Sequence, residues 1–553
     1  MKGRPNVTLR RHSALAAIAS AALLLAACGG NSPDTNTTTS PAGGGGTGGG
    51  EATTGIVTVN GTEPQNKLIP TNTNEVGGGK ILDLMFEGLV YYDAEGAPQN
   101  AVAEDIATED SKVYTIKLKK DLKFTNGDPV DAESFVKAWN YGAKADNAQL
   151  SSYFFEPIEG FSETNNEDLK GLEVVDATTF KVTLKQPEAD FPLRLGYSAF
   201  YPLPKSAFDN MDAFGENPIG NGPYKFAKEG AWEHNVKVDL VPNEDYSGER
   251  KAKNGGVTIK IYDTQEAAYN DLLANNLDVI DAIPDSALPT FENELGDRAV
   301  NQAAAIFQSI TVAGKTPHFE GEEGVLRRQA ISHAINREEV TKAIFNGTRT
   351  PAKDFTSPVI KGWSESVPGS DVLNFDKAKA KELWAKADEI SKWDGKFTIA
   401  YNADGGHQAW VDAVANSIKN TLGIEAVGNP YPKFAELRTD VTERKITGAF
   451  RTGWQADYPG LFNFLGPLYG TGAGSNDSDY SSEEFDKLLR EGSAASSVED
   501  ANKSFQKAQE VLFKDLPSIP LWYSNVTGGW AETVDNVKFG WNSVPLLYNV
   551  TKK

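Results

Sequence analysis

Arg451 and Asp457 bracket a stretch, Gly448 to Pro459, that reads as a β-strand, with Gly453 between them. Side chains alternate along a strand, so Arg451, Gly453, Gln455 and Asp457 share one face while Thr452 and Trp454 take the other. One face thus carries a cation toward one end and a carboxylate toward the other. At about 3.3 Å per residue the two α-carbons stand roughly 20 Å apart, which inward-reaching side chains shorten to about the length of a short peptide. Gly453 leaves room for another backbone. A zwitterionic peptide with its ammonium at Asp457 and its carboxylate near Arg451 would run antiparallel to this strand, a favourable pairing for strand addition. Backbone pairing ignores side-chain identity, whereas a desolvated Asp457 demands a cationic partner. Two duller roles stand beside these: Asp457 as a turn-forming carboxylate before Tyr458-Pro459, and Arg451 as a surface cation.

A second junction with chemical potential lies upstream. Phe397, Ile399 and Tyr401 alternate as a strand, Asp404-Gly405-Gly406-His407 forms a loop, and Trp410, Val414, Ile418 and Leu422 mark a helix ended by Gly423. A further strand, Ile424 to Val427, completes a β-α-β unit. His407 then sits at a strand's carboxyl end beside a helix N-terminus, where open α/β sheets bind ligands and anions are favoured. A loop histidine is as readily one that is merely solvated.

Signatures of catalysis are missing. The chain has no G-x-S-x-G elbow and no H-E-x-x-H, and its five histidines are scattered. Val76-Gly77-Gly78-Gly79-Lys80 departs from a phosphate loop, with Asn74 where glycine belongs and Ile81 after the lysine, and reads as a glycine-rich turn. No spacing singles out a carboxylate pair. No metal site and no cofactor are expected. A formal charge of −22 argues against nucleic acid, whose phosphates need a basic surface, and fits solubility outside the cell.

The elements that must position these groups are mixed α and β. Tyr114, Ile116 and Leu118 alternate with polar residues, as do Phe180, Val182 and Leu184, so both stretches are expected as half-buried strands. Asn126-Gly127 marks a turn, and Asp131 is a plausible N-cap for a helix presenting Phe135, Val136 and Trp139. A second helix is expected from about Val325, with Leu326, Ala330, Ala334 and Ile335 toward a core and His333 structural.

The start of the chain sets the compartment. Lys2, Arg4, Arg10 and Arg11 precede an apolar run from Ala14 to Ala27, which reads as a secretory signal with Sec as the default route. Leu25-Ala26-Ala27-Cys28 resembles the bacterial lipobox, which implies an acylated Cys28 and a membrane anchor; Cys28 is the chain's single cysteine, so no disulfide is possible. Residues 28–54, rich in Gly, Ser and Thr, read as a flexible tether.

Four segments in order carry a family resemblance: Phe124-Thr125-Asn126-Gly127-Asp128-Pro129-Val130-Asp131-Ala132-Glu133-Ser134-Phe135, Pro218-Ile219-Gly220-Asn221-Gly222-Pro223-Tyr224, the run from Arg327 to Arg337, and Gly453-Trp454-Gln455-Ala456-Asp457-Tyr458-Pro459. Together they resemble the peptide and nickel class of ABC-transporter solute-binding proteins, family 5, and its oligopeptide-binding lipoproteins in particular. The resemblance implies a two-lobed α/β fold of the periplasmic-binding type with an inserted third domain. Its expected divisions are a signal peptide at 1–27, domain I at 55–98, 218–315 and 525–553, domain II at 99–217 and domain III at 316–524. It implies no enzyme and most simply a monomer, with short peptides as ligand and a membrane permease as partner. It further implies that His407 and Arg451 help hold the ligand's carboxylate and that Trp454 touches the ligand. Relatives of this class carry nickel chelates, haem, oligosaccharides or signalling peptides, and these stand as alternative solutes; a secreted hydrolase is the remaining alternative.

Overall fold

A computed structural model describes residues 55–403, 406–432 and 434–553; the leader, Cys28, the tether, and Asp404 and Gly405 lie outside the described residues. Asp131 caps the helix Ala132–Ala143: its carboxylate accepts from the Ser134 amide at 2.9 Å, and the Ser134 hydroxyl accepts from the Asp131 amide at 3.2 Å. This helix buries Phe135, Val136 and Trp139. Trp139 is wholly enclosed, edge-on to Phe180 and Phe200, and its indole N–H donates to the Phe200 carbonyl at 3.0 Å. Phe180 belongs to a four-stranded antiparallel sheet in the order Ala103–Thr108, Val113–Leu118, Thr179–Thr183, Leu172–Asp176, and Tyr114, Ile116, Leu118 and Val182 are buried with it.

A twelve-stranded sheet runs through the rest of the molecule. In the first lobe Ile56–Gly61 lies parallel to Gly256–Ile261. In the second, Phe397–Asn402 lies parallel to both Ala426–Tyr431 and Ala449–Gln455, the β-α-β unit expected from sequence. Two long antiparallel strands, Ala299–Val312 and Ser518–Trp530, join the lobes. Their ladder loses register between Ala303 and Ile306. The core changes at that point: Ala304 and Val526 pack with the first lobe, Ala305 and Tyr523 with the second. That change falls inside the Ala299–Val312 strand, ahead of the 315/316 division drawn from sequence. Residues expected to form domains I and II, such as Val59 and Phe180, share one continuous core.

Some local expectations are corrected. Val76 to Lys80 is no turn but the start of the helix Val76–Met85, because Glu75 caps it by accepting from the Gly78 amide at 2.9 Å. Lys80 is committed to Asp281 and the Asn60 carbonyl. The helix placed from Val325 begins at Gly321, its acidic first turn at Glu322 and Glu323 being favoured by the helix dipole. Leu326 in it is half-buried, while Ala330 and Ala334 are enclosed. The strand placed at Ile424 to Val427 is Ala426–Tyr431; it lies at the sheet's edge, where Pro430 removes no ladder bond.

Two of the resembling segments prove architectural. A Cβ at Gly220 would stand 1.9 Å from the Met85 carbonyl oxygen, so only glycine lets this loop close on the helix end. Arg337 is buried among carbonyls, donating to those of Leu373, Pro520 and Ser332 at 2.7 to 3.0 Å, and desolvation lowers its guanidinium pKa to about 9. His333 meets the Asn374 carbonyl at 2.8 Å and is structural as expected.

Trp139→Ala is expected to cost about 3–5 kcal/mol, the range for emptying a packed aromatic site. Urea unfolding followed by circular dichroism measures it, and an unchanged midpoint would remove Trp139 from the core's foundation.

Candidate functional site

The strand Ala449–Gln455 pairs with Ala299–Val312 along its whole length, from Ala449 against Val312 to Gln455 against Ile306. Its other edge meets Phe397–Asn402 only at Ala449 and Phe450. Among the described residues no strand pairs with that edge from Arg451 to Gln455. Gly453 lies exposed there, and a Cβ built on it would meet only the Phe307 carbonyl oxygen, at 3.6 Å. Internal packing therefore does not require a glycine. The absence of a side chain leaves the open edge clear for a second backbone.

The strand ends at Gln455, two residues before Asp457, which corrects the longer strand drawn to Pro459. Strand alternation therefore does not orient Asp457; Asn463 does. Asn463 accepts from the Asp457 amide and donates to its carboxylate, each at 2.9 Å, and accepts from the Trp454 indole N–H at 3.0 Å. Trp454 thus serves as a prop, packed against the second core, and does not line the cavity beside Asp457. That cavity, about 200 Å³, is lined by Gln455 and Asp457 together with Tyr92, Tyr197, Trp541 and Asn542. Gln455 is fixed there by donating to the Asn542 carbonyl at 2.9 Å.

Asp457 retains some solvent exposure toward this cavity but is otherwise enclosed by protein, with the Tyr197 hydroxyl among its hydrogen-bond partners. Burial raises its carboxyl pKa to about 6, against the opposing pull of hydrogen bonds from Asn463 and Tyr197. Among the described residues no cation pairs with it. A carboxylate so placed is a site for a positive charge brought by a ligand.

At the other end Arg451 reaches the terminus of Phe397–Asn402, and His407 follows that strand in sequence. Arg451 Nε donates to Asn402 Oδ1 at 2.9 Å, and its guanidinium lies 4.8 Å over the Phe434 ring. His407 precedes the helix Gln408–Leu422, and its Nδ1 accepts from the Trp410 indole N–H at 3.1 Å. That bond puts the neutral ring's proton on Nε2, making Nε2–H the donor. The structure therefore brings Gln455 and Asp457 into one cavity and joins Arg451 to the end of Phe397–Asn402, with Gly453 between Arg451 and Gln455 on its strand.

Sequence inspection missed Tyr197, Asn463 and Trp541. Asn463 stands close enough in sequence to be read as a cap for Asp457. Tyr197 and Trp541 come from distant segments, and no local pattern marks them.

A two-lobed sheet structure with a strand edge running into a cavity has the form of a binding site. The chain belongs to the bacterial extracellular solute-binding proteins, family 5, whose middle region matches residues 97–476. It is 25% identical over 501 residues to the oligopeptide-binding protein of Bacillus subtilis, covering 86% of this chain and 88% of that one. Its fold matches the murein tripeptide binding protein of Escherichia coli with a TM-score of 0.78 at 22% identity, over 91% of this chain and 99% of the other. It matches the oligopeptide-binding protein of Haemophilus influenzae in complex with RPPGFSPFR with a TM-score of 0.77 at 24% identity, over 90% and 99%.

The raised carboxyl pKa fixes a sign. Between about pH 4 and 6 the native protein keeps a proton on Asp457 that the unfolded chain has released, so stability falls as pH rises through that window. Ligand-free Asp457→Asn is therefore expected to be more stable than the wild type at pH 7.5, by roughly 1–3 kcal/mol, and to lose that advantage at pH 4. Chemical denaturation at the two pH values checks this, and equal differences at both would contradict a strained carboxylate.

Proposed function

We propose that this protein captures short peptides in extended form, ammonium at Asp457 and carboxylate toward Arg451 and His407, and delivers them to an ABC importer. One observation carries the proposal: among the described residues no strand pairs with the outer edge from Thr452 to Gln455, and that edge leads directly to a carboxylate with which no described cation pairs. A peptide backbone would occupy the edge and its ammonium would neutralise the charge. Gly453 would let that backbone approach. The relatives named for oligopeptides and for murein peptides support the same solute class. Lipid attachment at Cys28 on the extracytoplasmic face, action as a monomer, and the permease as partner belong to the same proposal.

Isothermal titration with tri-alanine and its N-acetyl derivative tests it. Acetylation removes the ammonium, and Asp457→Ala removes its partner; each is expected to weaken binding at least about a hundredfold, the scale of a buried charge left unpaired. Affinity should also drop as pH falls below about 6, where Asp457 takes up a proton. Unchanged binding on acetylation would refute the assignment. For Arg451→Ala and His407→Ala the losses should depend on peptide length; equal, negligible effects from dipeptides to pentapeptides would remove both from the site. Cys28→Ser is expected to release the chain from the membrane fraction, and retention there would count against the lipid anchor.

A further inference from the structure

After Gln455 the chain leaves the second lobe and returns to it. The Ala456 amide donates to the Ala305 carbonyl at 2.9 Å, at the break between the long strands, and the next helix, Phe462–Tyr469, is packed in the second core. Between them Tyr458 is enclosed in the first lobe's core. It stands there beneath Arg194, whose guanidinium lies 5.6 Å from the Tyr458 ring and 5.2 Å from the Phe462 ring. Arg194 belongs to the first lobe, in a turn flanked by the core residues Phe191 and Leu195. Glu188 holds it at 2.7 Å and Asp190 at 3.7 Å, and all three side chains are buried. The same stretch sends Tyr197 to Asp457, and the Ala189 amide crosses to the Ser493 carbonyl at 3.1 Å.

Desolvating a guanidinium and two carboxylates is costly, and a buried cluster of this kind is poor evidence for stability alone. Arg194 does not line the cavity, so ligand contact does not account for it. Its guanidinium also faces two aromatic rings carried by the segment that leaves the second lobe and returns to it, one of them next to Asp457 in sequence. We propose that Arg194 is a positioning residue coupling lobe closure to the binding site: it seats Tyr458 in the first lobe and so holds Asp457 against Tyr197. The ammonium site is then complete only when the lobes are together. The peptide assignment enters this proposal only through the affinity measurement below.

The test replaces Arg194 by Met, which keeps an unbranched stem without charge, and by Lys. Hydrogen–deuterium exchange is read over 456–465 and, as a control for folding, over 132–143, in the ligand-free protein and with saturating tri-alanine. In Arg194→Met, exchange over 456–465 should rise and tri-alanine affinity fall by about tenfold through faster dissociation, the worth of a desolvated cation–π contact. Arg194→Lys should recover most of both. Exchange over 456–465 equal to wild type would overturn the proposal, and so would a rise of the same size over 132–143, which would mark a merely structural residue. Should tri-alanine fail to bind the wild type, the peptide assignment falls, and the ligand-free exchange comparison still decides the role of Arg194.

Discussion

The antiparallel pairing of Ala299–Val312 with Ser518–Trp530 is the constraint on which the architecture rests. Both strands pass through both lobes, so neither lobe can be displaced without working on this ladder. Its loss of register between Ala303 and Ile306 coincides with the change of core, which makes a short bulged stretch the natural place for bending. Ala305 adds two cross-bonds there, donating to the Trp541 carbonyl and accepting from the Ala456 amide. The binding strand, the closing segment and the bend are therefore joined at one point.

Aromatic side chains cross that boundary in both directions. Tyr458 enters the first core from the second lobe's chain, and Trp541, from the closing segment, is enclosed in the second core and meets Tyr92 edge-on at 5.6 Å. The cavity beside Asp457 lies between these two insertions. Its walls are consequently drawn from both lobes, and its chemistry is set by how they meet.

Buried charge is handled in three ways in this molecule. Arg327 is compensated locally, paired with Glu323 and Asp388 and covered by Trp384 and Trp393 at 4.5 and 5.2 Å. Arg337 is compensated by carbonyls and the Ser332 hydroxyl and, among the described residues, by no carboxylate. Asp457 receives hydrogen bonds but, among the described residues, no cation, the arrangement that fits an exchangeable charged partner. The two arginines stand in one of the four segments that carry the family resemblance, yet they hold helices in place.

Local patterns in the sequence determined much of the fold. The Asp131 cap, the alternating strands at Val113–Leu118 and Thr179–Thr183, and the β-α-β unit around His407 follow from short-range propensity and periodicity, which act within a few residues. They failed where a cap or an edge outweighed composition, as at Glu75 ahead of three glycines and at Pro430. The polarity of the candidate site, a cation and a carboxylate flanking Gly453, was legible for the same local reason. Tertiary structure alone decided that among the described residues no strand covers the edge from Thr452 to Gln455, and that Tyr197, Trp541 and Arg194 arrive from other parts of the chain. Those facts depend on contacts between segments far apart in the chain, and no periodicity in one strand or helix encodes its partner across the cleft.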